Sequence, residues 1–341
     1  MNKIDRKIRR EIILKHLDAT PLIPTRTLAT LLTKIYPETF TSYGGTRISI
    51  QYVRGESKCI VKGKKYDFSI EGYHRTEEQK HEAMTIKKIP ESDYQKSQDF
   101  IMPKGNNRIL ILSDIHIPYH DIEALQIAIE KGKELKPNAV ILNGDTIDMY
   151  HASRFIKDRR LRDLAGELEM TKDFLCYIKE EFDCPIYFKI GNHEARWENY
   201  LRLQAPELLG ITDFELSSIL QFGSLGIIEI KSTQLIKAGK LNILHGHEFG
   251  HSVFSPVNAA RGLYMRAKAN SIVGHHHQTS EHSEKDLTGN VVTTYSIGCL
   301  CGLSPEYMPF NKWNHGFGFV EIDNNGDYVV KNFRIMNGKV Y

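Results

Sequence analysis

Five times between Arg108 and His277 a short apolar run ends on a cluster of Asp, Asn or His, and this repetition constrains the fold more than any other feature. Arg108–Leu112 runs into Ser113-Asp114-Ile115-His116. Ala139–Leu142 runs into Asn143-Gly144-Asp145, with Asp148 just beyond. Pro185–Ile190 leads to Gly191-Asn192-His193-Glu194, Leu241–Leu244 to His245-Gly246-His247, and Ser271–Val273 to Gly274-His275-His276-His277. The runs have strand length. Longer amphipathic stretches, Ile122–Leu135 and Leu161–Phe182, predict helices between them, so the region reads as a layered α/β fold. Open α/β sheets carry their sites at the carboxyl ends of strands, so all five clusters are expected on one rim. Gly in several of these loops lets the backbone turn sharply and approach a ligand. The chain ends β-rich, over Val291–Ile297, Gly318–Ile322 and Tyr328–Ile335, with an Asn-Asn-Gly turn at 324–326.

The residue types then point to metal chemistry. Asp, Asn and His together suit divalent ions such as Mn²⁺, the first expectation, or Fe²⁺, Zn²⁺, Ni²⁺ or Mg²⁺. The five cysteines form no CxxC pair, which argues against a structural zinc centre and fits reduced core thiols. Asp114, His116, Asp145, Asn192, His245, His275 and His277 make seven candidate ligands, more than one octahedral ion needs. If Asp145 bridges, two ions share the set and each keeps room for water. Two ions ~3.5–4 Å apart lower the pKa of a bridging water and clamp attacking and leaving oxygens, the chemistry of phosphoester hydrolysis.

Read in order, the blocks resemble those of the calcineurin-like metallophosphoesterase superfamily. They follow its Asp-x-His, its Gly-Asp with a second Asp three residues on, its Gly-Asn-His-Asp/Glu, its lone His and its Gly-His-x-His. The resemblance covers roughly residues 108–280, and Ser113–Pro118 and His245–Phe249 are similar to phage- and prophage-encoded members. It implies an α/β fold in the form of a four-layer αββα sandwich. It also implies that Asp114, His116 and His277 bind one metal, that Asn192, His245 and His275 bind the other, and that Asp145 bridges. His193 would protonate the leaving oxygen as general acid, with Asp148 orienting it and keeping it charged. Arg196, Arg261, His247 and His276 are candidate substrate contacts, and Tyr119 and His120 candidate cleft residues. Each has the alternative of an ordinary surface or packing role.

The first third of the chain has a different texture. Residues 1–105 carry 20 Lys and Arg against 13 Asp and Glu, whereas the remainder carries 25 against 29. Ile4, Ile8, Ile12 and Ile13 predict one helix, and Leu28, Leu31, Leu32 and Ile35 a second that stops at Pro37. Thr46 to Val53 reads as a helix or a short strand. Cys59–Val61 and Tyr66–Ile70 read as a β-hairpin, which together with the helices suggests a winged-helix-like unit. The expected division is a basic N-terminal unit over 1–75, a linker over 76–106 and a catalytic domain over 107–341. No apolar run approaches the ~20 residues that span a bilayer, and no leader pattern follows Met1, so a cytoplasmic address is expected. A basic helical unit beside a two-metal site favours a nucleic-acid phosphodiesterase, a DNA-binding nuclease, as first expectation. The alternatives are a phosphomonoesterase acting on phosphoprotein or a small metabolite, and a non-catalytic DNA-binding regulator.

Overall fold

In a computed structural model of the chain, residues 3–54, 91–153, 163–250 and 257–341 are described. They fall into two compact units, Met1–Tyr94 and Gln95–Tyr341. No helix among them is long and apolar enough to cross a membrane.

The N-terminal unit contains helices α1 (Lys3–Ala19), α2 (Thr25–Ile35) and α3 (Tyr43–Val53). The stretch that read as helix or strand is helical, and Ser42 caps it by accepting a hydrogen bond from the Gly45 N–H. Ile13, Leu17, Leu28, Ala29, Leu32, Phe40 and Ile50 make its core. Three residues of the expected apolar faces do not join it: Ile8 of α1 and Leu31 and Ile35 of α2 are exposed, because the helices bury only a narrow stripe of each. Arg54 is drawn inward, donating to Thr25 Oγ1 at 2.7 Å and to the Ile23 carbonyl. The hairpin expected over 59–70 lies outside the described residues.

The larger unit is built on two sheets. Its strands are β1 (Phe100–Ile101), β2 (Asn107–Leu112), β3 (Ala139–Asn143), β4 (Ile186–Lys189), β5 (Ile227–Ile230), β6 (Ile236–Ala238), β7 (Leu241–Leu244), β8 (Ser271–Val273), β9 (Ser280–Lys285), β10 (Val291–Ser296), β11 (His315–Ile322), β12 (Tyr328–Met336) and β13 (Lys339–Val340). One sheet has the order β13-β12-β11-β2-β3-β4-β5, the other β1-β6-β7-β8-β10-β9. Strands β2 to β5 run parallel, as do β7, β8 and β10. β1 falls inside the stretch expected to be linker: it pairs with β6 at the sheet edge, and a two-residue strand leaves no periodicity to read.

Alternation along the central strands supplies two cores. Ile109 and Ile111 of β2 and Ala139 and Ile141 of β3 pack with Ile236, Ile243, Ile272 and Ile297 between the sheets. Leu110, Leu112, Val140 and Leu142 point the other way, under helices α4 (Ile122–Glu134) and α5 (Leu164–Glu181). A strand covered on both faces has no polar side, which is why these runs are continuously apolar. Each such side chain stabilises the fold by ~1.5–3 kcal/mol. A third helix of this unit, α6 (Ala195–Gln204), follows β4. The smaller sheet is covered by α7 (Ala259–Ala267), which packs on β8, β9 and β10 through Ala259, Ala260 and Leu263. The layers run helix, sheet, sheet, helix, in keeping with a metallophosphoesterase sandwich.

Candidate metal centre

The loops that follow β2 and β3 are laced together before any side chain is considered. The Asp114 N–H donates to the Gly144 carbonyl (3.1 Å), His116 N–H to Asp145 (2.9 Å) and Ile117 N–H to Thr146 (2.9 Å). Asp114, His116, Asp145, Met149, His275 and His277 all hold φ between +52° and +62°. Such left-handed backbone is uncommon outside Gly and costs of order 1–3 kcal/mol per residue, so the surrounding bonds over-determine it. The loop glycines admit neighbouring loops. A Cβ on Gly144 (φ +83°) would lie 2.5 Å from His245 Nδ1, and one on Gly274 would lie 2.0 Å from Ser113 Oγ.

The seven expected ligands meet. Asp145 Oδ2 lies 3.2 Å from His245 Nε2, 3.7 Å from His193 Nε2 and 3.9 Å from His116 Nε2. Asp114 Oδ1 lies 3.1 Å from His277 Nε2, and His116 and His277 face each other Nε2 to Nε2 at 3.3 Å. Asn192 Oδ1 is 3.2 Å from His245 Nε2. Donor atoms of Asp145, His245 and His275 cluster within 4.8 Å, as do those of Asp114, His116 and Asp145, and both groups contain Asp145. Asp114, Asp145 and His245 are buried.

Charge inside this cluster is unevenly held. Burial would raise the Asp145 carboxyl, but His193 and His245 override it and hold it well below the usual range. His277 and His245 do the same for Asp114. Burial would lower His245 and His277, yet Asp145 and Asp114 respectively lift both to about 10. His275 goes the other way, down to about 3, because burial and the His245 cation act together. Buried carboxylates that draw protons onto neighbouring imidazoles are a set that divalent ions suit, since metal binding displaces such protons. The residues present therefore fit a dinuclear metal site.

His193 stands at the edge of the cluster. Its Nδ1 meets the Asp148 carboxylate at 3.0 Å and the Asp148 carbonyl at 2.8 Å. Asp148 also holds His116 Nδ1 at 3.0 Å, a second contact that the sequence did not suggest. Arg196 donates to the Asp148 carbonyl and meets His193 Nε2, both at 2.8 Å. Burial lowers the His193 pKa, but Asp145 and Asp148 more than offset this and raise it. His247 and His276 flank the cluster, with ring centroids 5.3 Å from His245 and from His275 respectively. Arg261 is exposed on α7. Tyr119 is exposed, and His120 is half-buried with its Nδ1 unpartnered. Cys299 and Cys301 are free, buried thiols just past β10.

Two acids, Glu194 buried and Glu248 half-buried, supply a scaffold that the motif reading passed over. Glu194 accepts from the N–H groups of Gly191 (2.8 Å), Asp145 (3.0 Å), Thr146 (2.7 Å) and Ile147 (3.3 Å), pinning the Asp145 loop to the Asn192 loop. Glu248 accepts from the N–H groups of His245 (3.1 Å) and Gly246 (2.7 Å) and pairs with the buried Lys189 at 3.2 Å.

The family model for calcineurin-like phosphoesterases matches residues 107–299. Two phage proteins, the Gene 54 proteins of Mycobacterium phages D29 and L5, are similar to this chain at 25% and 26% identity. The matches cover 64% of the chain in each case, and 91% and 90% of the phage proteins. Among solved structures, a dimetal phosphatase from Danio rerio is 14% identical with a TM-score of 0.35, covering 67% of this chain and 96% of its own. Vps29 from Entamoeba histolytica is 15% identical with a TM-score of 0.37, covering 69% and 96%.

Proposed function

The chain belongs to the calcineurin-like phosphoesterase family and is a metal-dependent phosphoesterase; within that class we propose that it is a phosphodiesterase acting on nucleic acid. The observation that carries this reading is the basic face of α1, where Arg6, Lys7, Arg10 and Lys15 are all exposed. A row of cations binds the phosphates of a polyanion irrespective of sequence. A small monoester has no use for it.

In the proposed reaction Asp114, His116 and His277 hold one divalent ion, Asn192, His245 and His275 the other, and Asp145 both. Bound ions of this kind supply Lewis-acid charge and an activated water. The chain's own residues do the rest. Asp148 braces His116 and His193 at once, so ligand and proton donor keep a fixed spacing. His193 carries the proton for the departing oxygen. Arg196, with its guanidinium beside His193 Nε2, is the candidate to meet the arriving phosphate.

His193→Ala is expected to lower turnover on a natural diester by about 10²–10⁴-fold while metal content stays that of the wild type. A p-nitrophenyl ester, whose leaving group needs no proton, should lose much less. Equal losses on both would remove His193 from the acid role.

The substrate reading is tested with Mn²⁺-loaded protein given p-nitrophenyl phosphate, bis-p-nitrophenyl phosphate, and labelled single- and double-stranded DNA. A preference for the monoester would defeat it, and salt-sensitive DNA binding without turnover of any substrate would favour a regulator. Changing Arg6, Lys7 and Arg10 to Glu should weaken DNA binding at least about tenfold and flatten its dependence on salt. Unaltered affinity and slope would dissociate α1 from DNA.

A further inference from the structure

The later part of the loop joining β10 to β11, residues 302–314, has no part in the chemistry described so far. It is stiffly built. Asn311 Nδ2 donates to the carbonyls of Leu303 (2.7 Å) and Met308 (2.8 Å), and Asn311 Oδ1 accepts from the Trp313 N–H (2.9 Å). At one end the Asn314 N–H donates to the His277 carbonyl (2.9 Å), and at the other the Gly302 N–H donates to the Tyr119 carbonyl (2.9 Å). The loop is thus fastened to the candidate metal centre at its exit and to the candidate cleft residue Tyr119 at its entry.

What the loop presents there is aromatic. The Trp313 ring lies against the imidazole of His277, with centroids 4.2 Å apart at 62°. Tyr307 stands 6.3 Å from Trp313 at 66°, and its side chain is 77% exposed. The faces of these rings do little to hold phosphate. They suit the flat organic group attached to it, and a nucleobase offers a π-face whatever its sequence. In a closed duplex those faces are already covered by neighbouring bases.

We infer that Tyr307 and Trp313 form a stacking wall for an unpaired nucleobase beside the scissile phosphate, so that the substrate is single-stranded or frayed. The inference rests on the nucleic-acid reading above and commits to one occupant, because the wall is continuous with the metal centre through the Trp313–His277 contact.

The test compares the full, Mn²⁺-loaded chain on a single-stranded oligonucleotide and on one of equal length with abasic sugars at the cleaved step. Base removal should lower wild-type kcat/KM by about 5- to 150-fold. In Tyr307→Ala that ratio should fall toward one, and Tyr307→Phe should restore it. Trp313→Phe should keep most of it, with metal content measured alongside to separate stacking from damage at His277. If both oligonucleotides are cut equally by the wild type, or if Tyr307→Ala keeps the full ratio, the stacking wall is wrong and the nucleic-acid reading stands. If neither is cut while bis-p-nitrophenyl phosphate is, the nucleic-acid reading falls and the wall with it.

Discussion

Asp145→Asn should abolish turnover, by on the order of a thousandfold or more, and should empty both metal positions together. The substitution is nearly isosteric, and Oδ1 can still accept from the His193 N–H, a bond of 2.9 Å, so the loop should keep its shape. What vanishes is the one charge that His116, His193 and His245 all face. Those imidazoles would then surround a neutral amide, and the lift that Asp145 gives His245 would go with it. Metal analysis after dialysis, read beside a thermal melt, checks the outcome. A folded variant that retains two ions per chain would exclude Asp145 as the shared ligand.

The largest stability effect should come from Lys189→Met. Lys189 is fully buried, and its ammonium donates at 2.9 Å to each of the Lys231, Ser232 and Gln234 carbonyls while pairing with Glu248. Methionine fills the space but leaves three carbonyls without their donor and the half-buried Glu248 carboxylate without its cationic partner, at a cost of about 3–5 kcal/mol. For a unit of this size that corresponds to a fall in Tm of roughly 10 °C. Glu248 also holds the backbone of His245, so metal affinity should fall with stability. Exchanging Glu248 for Met as well removes the unpaired charge, so the double variant should lie above the sum of the single losses in a thermal-denaturation cycle. Additive losses would mean that the two side chains act independently.

Much of the site was legible because its chemistry is local. Each ligand cluster directly follows a strand, and strand ends point one way when strands run parallel, so Asp114, Asp145, Asn192, His245 and His275 were readable as a converging set. The bracing of that set was not legible. Glu194 and Lys189 act through backbone N–H and carbonyl groups from 42 to 49 residues away, Glu248 through those of its own loop, and backbone atoms leave no trace in side-chain patterns. The missed strands have the same cause. Ser280–Lys285 reads Ser-Glu-His-Ser-Glu-Lys, an edge strand with no fully buried residue to betray it, and its pairing with β10 is a backbone affair. Trp313 and Tyr307 escaped notice because an aromatic residue in a loop looks the same whether it faces solvent or a reaction centre. The helix ambiguity over 46–53 was resolved by a cap, Ser42, upstream of the window in question.

Asp114, His116, Asp145 and Asn192 hang from one sheet, and His245, His275 and His277 from the other. Two metal ions held by all of them, as proposed, would be a rivet through two plates. Occupancy would then govern how long the polypeptide survives as well as how fast it works: at a hundredfold excess over the dissociation constant, each ion would add ~2.7 kcal/mol against unfolding. Metal starvation would thus thin the population of folded molecules, leaving the cell to degrade what it can no longer use.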